Sequence, residues 1–469
     1  MNYTDPVFFI FFVLTFALYY SQRSGRSQVL VLVLASLFFC AWEAPRILGV
    51  FLCSWLITGI GSYLVLTSTN QRHAGAYASA GVVANLCLLA FFKYKVLFIH
   101  AAAGSVPNEV YSVGEWLLFA PLPIGISFYT FHGISLLVDV FRGSKAIGAS
   151  GAVTLRHYLP DTLLYLAFFP QLIAGPIIKA KDFFPQVSAK RLSDLDLAAC
   201  FRFLVLGFFL KSVIADNLSE QTFWIAYPYF QWRSSIDLWL MLLGYSAQIF
   251  ADFAGYSLIA IGLGRALGYR LPINFNFPYV ATSISDFWRR WHISLSSWLR
   301  DYLYVPLGGS QKGTARTYLN LMIVMLLGGL WHGAAWSFAV WGLWHGIGLA
   351  LERRWLSSRF MSSLHPAAVA ARVVLVFSFV TVGWLFFKLQ DIGHAVNYLR
   401  AMFTNPTRST AAGAALLIVL YGSAVALYHL ASVLRHRTSR TTLDVLYGVM
   451  LFLILTSAGS PAPFIYFQF

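Results

Sequence analysis

The sequence predicts an all-α polytopic membrane protein, and three observations carry that prediction. Apolar runs of membrane-spanning length recur from one end of the 469-residue chain to the other. Hydrophobic residues make up 58% of the chain and charged residues only 11%, too little charge to cover a soluble protein of this length. The basic residues behind the net charge of +15 lie in short loops between the apolar runs. That distribution sets membrane orientation and does not point to nucleic acid.

The first run, Val7–Tyr20, has no basic region before it and no small-residue cleavage site after it. It therefore reads as a retained span and not as a signal peptide. Val29–Trp42, Leu48–Leu66, Gly75–Phe92 and Trp116–Phe141 follow as further spans. Arg23 and Arg26 come after the first run, Arg72 after the third, and Arg142, Lys145 and Arg156 after the fifth. This alternation places the N-terminus outside and those loops in the cytoplasm. Lys93 and Lys95 break the alternation and read as side chains snorkelling from a helix end. Leu163–Ile178 carries Pro170, Gly175 and Pro176 between two basic flanks. It reads as re-entrant, its broken backbone buried in protein or lining a cavity because lipid cannot satisfy it.

Cys200–Ala215 then leads outward and Leu238–Leu263 returns. Gly264–Thr317 is the longest hydrophilic stretch, and its basic bias puts it on the cytoplasmic side. Leu319–Leu351 has the length of two short spans or one hairpin, with Trp331-His332-Gly333 near its middle. The runs Val373–Leu389, Ala414–Leu434 and Leu443–Thr456 complete about ten to twelve crossings. Arg435, Arg437 and Arg440 lie between the last two and put the C-terminus outside. Cys40, Cys53, Cys87 and Cys200 show neither pairing nor metal spacing and read as small core residues. With no internal repeat or long linker, 1–469 reads as one integral-membrane domain. Its motif core covers 120–352, and the spans over 371–460 read only as packing and anchoring.

Nucleotide-binding glycine loops, nucleophile elbows and zinc motifs are absent from the sequence. What remains is His292, His332 and His345, with Arg289, Arg290, Arg300 and Asp301 nearby. An ionisable group in a membrane-length apolar run is costly and marks function by default, which singles out His332. A buried neutral imidazole can take the proton of an attacking hydroxyl; the bland alternative is a structural histidine bonded to a carbonyl. His292 follows a Trp-Arg-Arg-Trp run and reads first as part of an interfacial aromatic–basic belt, with function as the other reading. His345 reads as structural, and the three histidines lack the carboxylate or cysteine partners of a metal site. Arg289, Arg290 and Arg300 could hold the phosphates of an acyl carrier or could simply be positive-inside charge. Asp301 reads as the partner of a neighbouring arginine. Tyr245, Gln248, Asp252 and Tyr256 fall on one helical face. Such a stripe lines a cavity or bonds helix to helix.

Several of these segments recur in one known pattern. They are Leu122-Pro-Ile-Gly-Ile-Ser-Phe-Tyr129, Phe168-Phe-Pro-Gln-Leu-Ile-Ala-Gly-Pro176 and Tyr245-Ser-Ala-Gln-Ile-Phe-Ala-Asp252, then Ser285-Asp-Phe-Trp-Arg-Arg-Trp-His292 with Pro-Leu-Gly-Gly and Gly-Gly-Leu-Trp-His332-Gly-Ala after it. In these the chain resembles the membrane-bound O-acyltransferase family, in the bacterial branch that includes the alginate O-acetylation and teichoic acid D-alanyl transfer membrane proteins. The resemblance runs from the first span to about Glu352. It implies a helical ring with a funnel from the cytoplasmic face and a pore leading outward. The family's near-invariant histidine falls on His332 and its second, more variable polar position on His292. Acetyl-CoA is then the expected donor, docking near Arg289 and Arg290, with His332 as base and His292 or an amide near Gly333 as oxyanion donor. Expected partners are membrane lipid, periplasmic acetyltransferases and the machinery that makes and secretes the polymer. The alginate-type pattern has Ser and Asp where this chain has Ala254 and Leu258, which leaves alginate, cellulose or another exopolysaccharide open. A transporter of polysaccharide or of a lipid-linked precursor would use broken helices and buried polar groups too. It should often show two related halves, which this sequence does not. A non-catalytic scaffold of the acetylation complex is a third reading.

Overall fold

The structure is a computed structural model that describes residues 1–42, 45–103, 120–144, 154–355, 363–405, 411–434 and 439–465. Trp116 to Phe119, Lys145, Arg435 and Arg437, used above for a span and for loop charge, lie outside the described residues. The described backbone is helical and divides into two compact units. Unit 1 is Met1–Cys200 with Ala260–Pro272, and unit 2 is Phe201–Ile259 with Ile273–Phe469.

Among the described residues six helices are long and apolar enough to cross a membrane: Pro45–Thr67, Gln71–Lys95, Leu197–Ile225, Ser235–Ala266, Pro366–Lys388 and Ala412–Leu434. Pro6–Ser21, Gly25–Ala41 and Ile126–Phe141 are apolar but shorter.

In unit 1, α1 (Pro6–Ser21), α2 (Gly25–Ala41), α3 (Leu48–Thr67) and α4 (Gln71–Ala103) follow the predicted order. The fifth run is helical over only part of its described residues. Its helix, α5 (Ile126–Phe141), begins only after Pro121-Leu-Pro-Ile-Gly125, where Gly125 takes a left-handed φ of 73° and a side chain would collide with Leu172. Lys95 does not snorkel outward: it is buried and donates to the Ala120 carbonyl at 2.6 Å. Cys53 and Cys87 are exposed on their helices, not core residues; Cys200 is buried.

The segment read as re-entrant is broken where its prolines predict. Helix α6 (Leu155–Ala167) stops at Phe168, a single turn α7 (Phe169–Leu172) follows, and the chain runs extended to α8 (Ala180–Phe183). Every residue from Leu163 to Ile178 is buried. The freed groups are satisfied internally: Phe169 N–H donates to Ser36 Oγ and Tyr165 Oη to the Ile178 carbonyl.

Unit 2 begins within α9 (Leu197–Phe208), which widens into a π-helical turn over Phe209–Ala215 before α10 (Asp216–Thr222). Its central element is α11 (Ser235–Ala266), 94% of whose apolar window is buried, against 17% for Ala412–Leu434. That difference decides where α11's polar stripe points: into protein. Lys211 Nζ, in the widened turn, donates to Asp216 Oδ1 at 2.7 Å, Asp252 Oδ1 at 2.8 Å and the Ala462 carbonyl at 2.8 Å. An extended C-terminal segment closes this cluster. Gly459 N–H donates to the Ser212 carbonyl, Ala462 N–H to Asp216 and Ile465 N–H to Asp252 Oδ2. Pro461 and Pro463, with no N–H of their own, alternate with those donors.

The hydrophilic stretch folds into α12 (Ile284–Arg290) and α13 (Ile293–Leu299). The apolar run after it is a hairpin, α14 (Thr314–His332) and α15 (Trp336–Trp355), so His332 ends a helix at the turn. Close approach needs glycine here: a Cβ on Gly329 would run into the Phe338 carbonyl and sit 3.1 Å from Gly342 Cα. Then come α16 (Pro366–Lys388), the amphipathic α17 (Ile392–Thr404) that the sequence reading missed, α18 (Ala412–Leu434) and α19 (Arg440–Thr456).

Lys211→Met removes the one cation that two buried carboxylates share. It should cost about 3–5 kcal/mol, read as a lowered midpoint in an SDS titration of the protein in micelles. An unchanged midpoint would mean that the cluster is not a stabilising one.

Candidate active site

The site grows from a short antiparallel pairing in unit 2. Asn276 N–H donates to the Arg290 carbonyl and Ile293 N–H to the Asn274 carbonyl, both at 2.9 Å, so Asn274–Asn276 and Arg290–Ile293 run side by side. Between α12 and α13, His292 takes a left-handed conformation, φ 43° and ψ 54°. A residue with a Cβ enters that region at a cost of about 1–2 kcal/mol, and such strain persists where neighbours over-determine it. Here it turns the imidazole inward, and His292 is 1% exposed. Its Nδ1 lies 3.1 Å from Asn274 Oδ1, the Phe253 ring meets it edge-on at 4.6 Å, and its Nε2 is buried with no hydrogen-bond partner among the described residues. Burial pushes the imidazole down to about 3, so it is neutral at physiological pH.

His332 is 5% exposed at the end of α14, among the rings of Trp331 at 4.9 Å, Trp341 at 5.0 Å and Phe387 at 5.1 Å. The Trp331 ring also approaches His292, with centroids 6.4 Å apart. The two histidines therefore flank one indole, in a buried aromatic setting. Gly333 follows His332, and a Cβ there would strike the Phe338 ring. His345 is fully buried among Phe287, Trp288, Trp341 and Phe379. Neither of its ring nitrogens has a hydrogen-bond partner among the described residues.

The arginines pair with carboxylates near them in sequence. Arg289 is largely exposed, 3.8 Å from Asp286; Arg290 bonds Asp286 at 2.9 Å. Arg300 pairs with Asp301 at 2.7 Å, the partnership expected for Asp301. The α11 stripe is occupied by its own protein. Gln248 accepts from Thr222 Oγ1 at 2.5 Å, Asp252 binds Lys211 and Ile465, and Tyr256 packs on Phe464 at 4.6 Å. Tyr245 lies under Lys388, whose Nζ is 5.2 Å from its ring centroid. Gln248 and Asp252 thus bond to neighbouring helical turns, while Asp252 and Tyr256 also meet the extended C-terminal segment.

Two contributions escaped the sequence reading. The spans beyond Arg372 are more than anchors: Phe387 of α16 walls His332, and Trp384 meets Trp291 at 4.8 Å beside His292. Glu352, given no role in the sequence reading, is buried and accepts from the backbone N–H groups of Ile284 and Ser285 at the start of α12. Its place one residue before Arg353-Arg354 gave no sign of that role.

A family model described as MBOAT, membrane-bound O-acyltransferase family, matches residues 8–390. The chain is 41% identical to a probable alginate O-acetylase of Azotobacter vinelandii over 418 residues, covering 86% of this chain and 78% of that protein. It is 35% identical to the peptidoglycan O-acetyltransferase of Helicobacter pylori, covering 79% and 73%. With the teichoic acid D-alanyltransferase of Bacillus subtilis it shares 25% identity, covering 72% and 84%.

Glu352→Ala strips a buried carboxylate from the positive end of α12 and should cost about 1–2 kcal/mol. The same SDS titration reads it, and Glu352→Gln should recover part of the loss. A variant as stable as the parent would show that α12 is held by its other contacts.

Proposed function

We propose, on the premise that this chain belongs to the membrane-bound O-acyltransferase family, that it passes acetyl groups from acetyl-CoA across a bacterial inner membrane for O-acetylation of an exopolysaccharide. The observation that carries the reading is the pair of buried histidines flanking Trp331, inside the stretch the family model matches. The acetyl assignment is supported by relatives named for O-acetylation, at 41% and 35% identity. Those names divide between alginate and peptidoglycan, so the polymer is taken only to the class of polysaccharide, alginate or cellulose among them.

In this reading the donor's thioester carbonyl sits beside His332. The imidazole accepts the proton of an acceptor hydroxyl as its oxygen attacks the carbonyl carbon. The tetrahedral intermediate collapses with cleavage of the C–S bond, and the imidazolium returns the proton to the leaving thiolate. The aromatic enclosure keeps water from competing for the acetyl group. Arg289 and Arg290, which both pair with Asp286 while Arg290 also donates to the Asn276 carbonyl, are the cations that would meet the donor's phosphates. The acetyl group then goes to periplasmic acetyltransferases that modify the polymer as it is made and secreted. The loop charges orient the chain with its N-terminus outside.

His332→Ala should abolish O-acetylation of the secreted polysaccharide, with polymer still secreted and the variant present in the membrane at the parental level. The acetyl content of the purified polymer is the measurement. Normal acetylation would refute His332 as the base, and loss of the polymer itself would favour a transporter.

A further inference from the structure

We propose that Asn274 is a positioning residue that fixes His292 in the tautomer protonated on Nδ1, so that the lone pair on Nε2 is presented to substrate as a hydrogen-bond acceptor. The inference rests on the acyl-transfer reading for the meaning of that lone pair, but not for the tautomer itself.

The orientation of the Asn274 amide decides the matter, and four contacts set it. Asn274 is 1% exposed. Its Oδ1 accepts from Ser294 N–H at 3.3 Å and from Ser294 Oγ at 2.9 Å, and its Nδ2 donates to Ser257 Oγ at 3.1 Å. A flipped amide would set its NH2 against a backbone N–H that can only donate. The oxygen therefore faces the Ser294 side, and the same oxygen lies 3.1 Å from His292 Nδ1. An oxygen acceptor there requires a proton on Nδ1, which leaves Nε2 as the acceptor of a neutral ring. The backbone secures the register, since Ile293 N–H donates to the Asn274 carbonyl. His292 itself lies within that pairing, at a positive φ.

Among the described residues the Phe253 and Trp331 rings and the Asn274 amide meet the imidazole, none of them charged. Burial alone keeps the ring neutral. The arrangement excludes one role expected from the sequence: with Nδ1–H engaged and Nε2 unprotonated, His292 has no N–H to offer a developing oxyanion. That donor falls to the other sequence-level candidate, an amide near Gly333. Nε2 instead receives an O–H of the bound acyl acceptor, beside the proton transfer at His332. An imidazole whose far nitrogen is held by a fixed acceptor is the arrangement that sets tautomer and direction together.

The test is nitrogen NMR of the full chain, labelled with [15N]histidine and held in lipid nanodiscs, with His292→Gln identifying the His292 signals by difference. The parent should show a protonated Nδ1 and a bare Nε2 between about pH 5 and pH 8. Asn274→Leu should mix the tautomers and lower polysaccharide O-acetylation about 100-fold or more. Asn274→Asp keeps the acceptor and adds a negative charge that favours the imidazolium. It should keep Nδ1–H, raise the pH at which Nε2 protonates, and retain acetylation at the alkaline end of that range. A parental Nε2–H signal, or no upward shift in Asn274→Asp, overturns the tautomer assignment. Unchanged acetylation in an Asn274→Leu variant whose tautomers have mixed overturns the positioning role. Failure of the acyl-transfer reading looks different: His332→Ala would keep its acetylation while the nitrogen signals stayed as assigned. If Asn274→Leu does not accumulate, Ser257→Ala loosens the amide at its other end and should give a smaller tautomer mixture.

Discussion

A lysine ammonium out of reach of water must find three acceptors within the protein, and Lys211 finds them in Asp216, Asp252 and the Ala462 carbonyl. Unit 2 is drawn together at this point. The π-helical turn, α10, the central helix α11 and the C-terminal segment each supply one part, and an ion left unpaired there would be far costlier than a poorly packed methyl. The same helix that holds Asp252 carries Phe253, whose ring edge meets His292. Electrostatic closure and the position of a candidate catalytic ring are thus properties of adjacent residues.

The two histidines reach the site by different means. His332 arrives at a helix end, with Gly329 and Gly342 allowing the two arms of its hairpin to touch. His292 arrives through a left-handed residue between two short helices, held by a pair of backbone hydrogen bonds. One depends on the absence of side chains and the other on strain. Both end against Trp331.

Much of this was legible in the sequence because membranes impose simple rules. Run length located most helices, and helix breakers between Pro170 and Pro176 located the broken segment, since proline lacks the N–H a helix needs. The resemblance to a known family in Trp-His-Ile-Ser and Trp-His-Gly-Ala marked both histidines. What escaped was set by partners distant in sequence. Nothing local to Glu352 says that it will cap a helix starting at Ile284, and nothing local to Asn274 says which nitrogen of His292 it will hold. Lys95 and Asp252 show the same limit: the sequence gives the cost of burying them, and only the fold names the partners that offset it. Phe387 and Trp384 were passed over because aromatic residues in an apolar helix suit lipid as well as a wall.

The C-terminal segment carries a consequence for the order of events during synthesis. Lys211, Asp216 and Asp252 are translated some two hundred residues ahead of Ala462 and Ile465, whose backbone groups complete their coordination. Through that interval the three charges sit in nascent helices with their set of partners unfinished, and α11 has no permanent seat. Arrival of the segment acts as a latch on the assembled unit. A chain interrupted after α19 would keep every one of its membrane-length helices and still present, to whatever surveys membrane proteins for unpaired charge, the marks of an unfinished one.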